Sequence, residues 1–187
     1  MEALPDASDT VVVVDVANVM GSRADGWWRD RAGAALRLYE EIAALAARGI
    51  APSQLPAVPP PLPASPARPA SSAPVTPVSA APAPAIPATP ASPAVPGEAV
   101  EEVVYPWFVL VLEGRARDAV ERIEAPHPRL RVVRAAGSGD DAIVTETASL
   151  AASGGSCLVV TADRELRRRC VAAGASVVGP SWLLGLF

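Results

Sequence analysis

Four consecutive valines, Val11–Val14, form a short apolar run that ends in Asp15. An unbroken β-branched run of this kind predicts a central parallel strand buried on both faces. Between Asp30 and Arg48 the period changes. Ala35, Leu38, Ile42 and Leu45 recur on one face at helical spacing, Arg37, Glu40, Glu41 and Arg48 fall off that stripe, and Gly49 supplies the stop. Further along, Trp107–Leu112 predicts a second buried strand, Arg115–Glu124 a short helix closed by Pro126, and Leu130–Val133 a third strand. Ser138–Ala152 predicts a helix with Ile143, Thr147 and Leu150 inward, followed by a fourth strand at Cys157–Val160. A helix over Asp163–Ala172, ended by Gly174, and a fifth strand at Ser176–Val178 complete the pattern. Strand and helix alternate throughout, so the expected class is α/β: one domain with about five parallel strands flanked by helices.

One stretch breaks the pattern. Residues 51–97 carry most of the chain's 21 prolines, no aromatic residue and a single charge at Arg68. Repeated proline removes backbone donors and fixes φ, while the alanines bury little area, so a disordered Pro/Ala-rich linker is expected there. Residues 1–50 offer one strand and one helix, too little for a core of their own. They are expected to fold together with residues 98–187 as two halves of one domain. The linker serves as a spacer, or as a docking peptide for a protein partner.

Composition narrows the functional classes. The net charge is −4, the sequence pI is about 5.0 and there is no lysine. A broad basic face gripping duplex phosphates is thereby excluded, and any nucleic-acid contact has to be local. The first residues, MEALPDASDT, lack the charged and apolar regions of a secretory signal, and no apolar run approaches membrane-spanning length. A soluble, cytoplasmic protein is expected. Cys157 and Cys170 have neither CxxC spacing nor histidines nearby, which favours buried inert thiols over a zinc or redox site.

Parallel topology turns sequence position into proximity, because every strand's carboxyl end lies on one edge and ligands bind beyond it. Asp15 follows strand one, Asp140 and Asp141 lie where a helix starts after strand three, and Asp163 follows strand four. Four carboxylates on one rim repel each other unless a cation neutralises them, and hard oxygen donors of this kind suit Mg²⁺ or Mn²⁺. Such an ion activates water and stabilises a phosphate under attack, which is the chemistry of phosphodiester hydrolysis. Each acid also has a capping alternative: Ser138 with Asp141 as a capping box, Asp140 at a helix dipole, and Asp163 as an N-cap. Asp15 is set apart because no helix is expected to open directly behind it.

Other residues join the candidate site. Asn18, in a D-x-x-N arrangement with Asp15, is placed to hold a phosphate oxygen or the attacking water. Glu113 ends strand two on the same rim, as a further ligand or simply a charged strand end. Arg23 and Arg164 are the basic groups nearest the acids and are candidate phosphate clamps. Ser138 and Thr161, at the same rim, are candidate substrate contacts. Arg167–Arg169 are expected to be a solvated helix face. Trp27 and Trp28 precede a helix, where they either stack on unpaired bases or lid the core.

The segments VVVVDVANVMGS, GSGDDAIV and VVTADREL, in this order, resemble the NYN domain of the PIN-like metal-dependent ribonucleases. That resemblance implies a Mg²⁺ or Mn²⁺ site and endonucleolytic cleavage of RNA. It matches Asp15 to the first-strand acid, Asn18 to its partner, Asp140 or Asp141 to the acid at the helix start, and Asp163 to the acid after strand four. The long Pro/Ala insertion departs from the compact family pattern. Two other readings compete: a nucleotide (NTP) pyrophosphohydrolase using the same acids, and a catalytically weak or inactive RNA-binding or scaffolding protein.

Overall fold

The computed structural model describes residues 9–56 and 103–187. All of them belong to one compact unit. The rest of the Pro/Ala tract, and with it the expected linker, lies outside the described residues.

Five parallel strands, β1 (Thr10–Asp15), β2 (Trp107–Leu112), β3 (Leu130–Arg134), β4 (Ser156–Val160) and β5 (Ser176–Val178), form one sheet in the order β3-β2-β1-β4-β5. This is the expected α/β architecture. Side chains alternate across the pleat, so the valine run of β1 feeds two cores at once. Val12 and Val14 pack with Phe108, Leu110 and Leu158 on one face, and Val11 and Val13 with Val109, Cys157 and Val159 on the other. Each such fully buried aliphatic side chain contributes about 1.5–3 kcal/mol of transfer free energy.

Helices α1 (Val16–Gly21), α2 (Arg31–Arg48) and α5 (Pro180–Leu184) cover the first face, and α3 (Gly139–Ala152) and α4 (Arg164–Ala172) the second. The expected stripe of α2 is buried, with Leu38 and Ile42 fully so. Asp30 caps its start by accepting from the Gly33 N–H at 2.9 Å. Gly49 ends it at φ 76°, where a Cβ would also strike Val103.

Several expectations change. A helix does open directly behind β1: α1 spans six residues, and Asp15 is its N-cap. The segment expected as a helix over 115–124 is a 3₁₀ helix, Gly114–Arg122. Its two buried residues, Ala116 and Ala119, stand three apart, which suits a turn of three residues. Ser138 precedes α3 without a side-chain cap bond, so the expected capping box is not formed. α5 was not legible in the sequence pattern.

The folded part of the first segment runs past the expected boundary at residue 50. Pro52–Gln54 forms a 3₁₀ turn whose Gln54 carbonyl accepts from Trp182 Nε1 at 2.8 Å. Ile50 and Val104 form an isolated antiparallel bridge, with N···O distances of 2.8 and 2.9 Å, that joins the two halves just before β2.

In this strand order β1 connects to one side through β2, while its other neighbour, β4, starts the opposite half of the sheet. The β1/β4 boundary is therefore a topological switch point, where a crevice opens beyond the strands' carboxyl ends.

Candidate active site

An open cleft of about 410 Å³ lies at that switch point, lined by Asp15, Ala17, Asn18, Gly21, Ser22, Glu113, Asp140 and Asp163. The acids come from the ends of β1, β2 and β4 and from the start of α3. No lysine, arginine, histidine or cysteine lines it.

Asp15 is 7% exposed and both of its carboxylate oxygens are engaged. Oδ1 accepts from the Asn18 N–H at 3.0 Å, and Oδ2 accepts from the Thr161 hydroxyl at 2.9 Å. Thr161 Oγ1 in turn accepts from the Asp163 N–H at 3.1 Å. Asn18 Oδ1 accepts from the Ala162 N–H at 2.9 Å, tying α1 to the loop after β4. Asp163 also caps α4, its Oδ1 accepting from the Leu166 N–H at 2.8 Å. Asp15, Asn18, Thr161 and Asp163, all expected at the site, are thus linked, the Asp15–Thr161 bond spanning 146 positions of chain.

The electrostatics record crowding. Burial pushes the Asp15 carboxyl above its ordinary value, against the pull of its bonds from Asn18 and Thr161, and the charges of Asp140 and Glu113 push the same way. Asp140 is also raised, first by burial, then by Asp163 and Glu113, with Arg169 opposing. Both shifts have one sign. A carboxyl with a raised native pKa binds its proton more tightly folded than unfolded, so its contribution to stability is greatest below the ordinary 3.8 and is lost as pH rises through the native value. Asp140→Asn is therefore expected to melt higher than wild type in chelator-treated buffer, by a margin that opens as pH rises from acid to neutral. Paired thermal melts check this, and a margin that does not change with pH would refute it.

Asp140 and Asp141 part company. Asp140 lines the cleft, whereas Asp141 bonds to Arg169 at 2.5 Å and lines a separate hollow with Ser138, Gly137 and Thr145. Ser138 is thereby outside the cleft too. Thr161 is fully buried, so it holds Asp15 and is out of reach of a substrate. Arg23 is paired with Glu41 and lies over the Phe187 ring, 5.4 Å from its centroid. Arg164 is exposed at the start of α4, without an ion pair among the described residues. Arg167–Arg169 are not a bare solvated face. Arg167 donates to the Thr161 carbonyl at 3.1 Å, Arg168 pairs with Glu165, and Arg169 holds Asp141.

Trp27 packs against the core and meets Trp28 edge-on, with centroids 6.2 Å apart, while Trp28 is 58% exposed. Cys157 and Cys170 are buried free thiols, and burial raises Cys157 to about 12, consistent with inert packing. Ala17, Gly21 and Ser22 were missed as cleft residues. Ala17 and Gly21 share one face of α1 with Asn18 and Ser22 caps its end, a face that becomes visible only once that helix is recognised.

The donor set has the hard-oxygen character that Mg²⁺ or Mn²⁺ prefers, and its like charges lack a cation partner inside the cleft. Among the described residues, however, no three acidic, histidine or cysteine side chains are grouped as a ready ligand set. No helix among the described residues is long and apolar enough to cross a membrane.

No protein-family model matches the chain, and no curated protein matches it. Among solved structures, it is similar to a point mutant of Rae1 (YacP) from Bacillus subtilis, with a TM-score of 0.51 and 10% identity. The match covers 95% of this chain and 74% of that one, and at such low identity the likeness concerns the fold.

Proposed function

We propose that the chain is a divalent-metal-dependent endoribonuclease of the NYN/PIN-like kind, acting on single-stranded RNA. The supporting observation is the shared cleft: Asp15 and Asp163 follow the ends of β1 and β4 and Asp140 opens α3, with burial, then the charge of Asp140, raising Asp15, and burial, then the charge of Asp163, raising Asp140. The likeness of fold to Rae1 is compatible with this reading.

In this proposal Asp15, Asp140 and Asp163 hold Mg²⁺ or Mn²⁺, which supplies charge neutralisation for the phosphate and a more acidic water. Asp15 is fixed by two donors before any ligand arrives, so little reorganisation accompanies binding. Asn18 spends its side-chain oxygen on Ala162, which leaves its N–H groups to donate to a phosphate oxygen. Arg164 is the basic side chain available to meet the backbone, since Arg23 is committed to Glu41. The open cleft and net charge of −4 favour a flexible single strand over a duplex that demands many phosphate contacts.

An RNA-binding or scaffolding protein and a nucleotide pyrophosphohydrolase compete with this reading. Incubating the full chain with single-stranded RNA and, separately, with nucleoside triphosphates, with and without Mn²⁺, separates the candidates. Internal RNA cleavage that requires Mn²⁺ is the expected result. Release of pyrophosphate without RNA cleavage would replace it with a nucleotide pyrophosphohydrolase, and RNA binding without turnover with a scaffold.

A further inference from the structure

The N-terminus of α3 is held in an unusual way. The first N–H groups of any helix lack partners within it, and here Ser138 makes no side-chain cap bond. The Gly139 N–H is met instead by Glu113 Oε2 at 2.9 Å, from a residue 26 positions earlier at the end of β2. The approach is close. A Cβ at position 139 would stand 2.7 Å from that oxygen and 3.2 Å from Glu113 Cδ, so a side chain there would push the Glu113 carboxylate aside. Glu113 also lines the cleft, and the residue after Gly139 is Asp140.

We propose that Glu113 is a positioning residue: by gripping the Gly139 N–H it fixes the first turn of α3 and so aims the Asp140 carboxylate into the cleft. The importance of that aim rests on the ribonuclease reading. What Asp140 needs from Glu113 is a hydrogen-bond acceptor at one place, not a second negative charge. A neutral acceptor of the same length therefore substitutes for it.

Three variants of the full chain test this: Glu113→Gln keeps the acceptor without the charge, Glu113→Ala removes both, and Gly139→Ala keeps the charge but displaces the carboxylate. The readouts are Mn²⁺ affinity by calorimetry, RNA cleavage, and amide hydrogen exchange at position 139. Glu113→Ala and Gly139→Ala are expected to lose about 10-fold in affinity and cleavage and to exchange faster at position 139. Glu113→Gln is expected to recover most of that loss, to within about 3-fold of wild type, with slow exchange restored. If Glu113→Gln is as impaired as Glu113→Ala, the charge or direct ligation is what matters and the proposal is wrong. Wild-type behaviour of Gly139→Ala overturns it as well. Should wild type neither bind Mn²⁺ nor cleave RNA, the ribonuclease reading fails by itself. Exchange at position 139 then judges Glu113 alone: equal rates in all four proteins refute the positioning role, and slow exchange only in wild type and Glu113→Gln upholds it.

Discussion

Asp15→Asn is expected to cut Mn²⁺-dependent RNA cleavage by about 10²- to 10³-fold while leaving the melting temperature unchanged or higher. The two effects separate because asparagine keeps the shape and most of the bonds. Its side-chain oxygen still accepts from the Asn18 N–H, so α1 remains capped, while its NH2 donates to the Thr161 oxygen, a bond of reversed direction that costs the Thr161 O–H its acceptor and partly offsets the gain from losing the charge. What disappears is a buried negative charge beside Asp140 and Glu113, whose loss relieves repulsion in the absence of metal. Asp15→Ala makes the useful contrast. It removes the cap as well, at about 1 kcal/mol, and leaves the buried Thr161 hydroxyl without its acceptor, so both activity and stability fall. Circular-dichroism melts beside gel-based cleavage assays decide the matter. Cleavage by Asp15→Asn at the wild-type rate would remove the site altogether.

Asp140→Asn and Asp141→Asn, adjacent and chemically identical changes, are expected to behave differently. The first should lower cleavage by about 10²-fold, because it takes charge from the cleft where phosphate would sit. The second removes one solvent-screened ion pair with Arg169 and should change cleavage by less than about 3-fold. Measuring both at saturating Mn²⁺ and again near half-saturation shows whether Asp140 acts through ion affinity. Equal losses from the two variants would mean that the first turn of α3 binds as a unit, contrary to the orientation described above.

The distinction between these two aspartates was present in the sequence but was not drawn from it. Asp140 lies three residues before Ile143 and seven before Thr147, on the same inward stripe, whereas Asp141 is turned by one residue's rotation around the helix. The strands were legible for a simpler reason. Runs such as Val11–Val14 and Trp107–Leu112 are buried on both faces, and no other arrangement of the chain hides them. Asp15, Asn18, Asp140 and Asp163 could be placed on one rim because parallel topology leaves little choice. α1 escaped notice because six residues, including Val16, Asn18 and Val19, carry weak helical preference and are held by the Asp15 cap and the packing of Val16, Val19 and Met20. The partners of the arginines were also out of reach. Whether Arg23 finds Glu41, or Arg169 finds Asp141, depends on how two elements lie against each other, and no local pattern encodes that.

The Ile50–Val104 bridge ties the two halves of the domain at the start of β2, on the end of the sheet away from the carboxylates. The clasp and the cleft thus occupy opposite edges of one sheet, so the residues that join the halves are not the ones that carry the candidate chemistry.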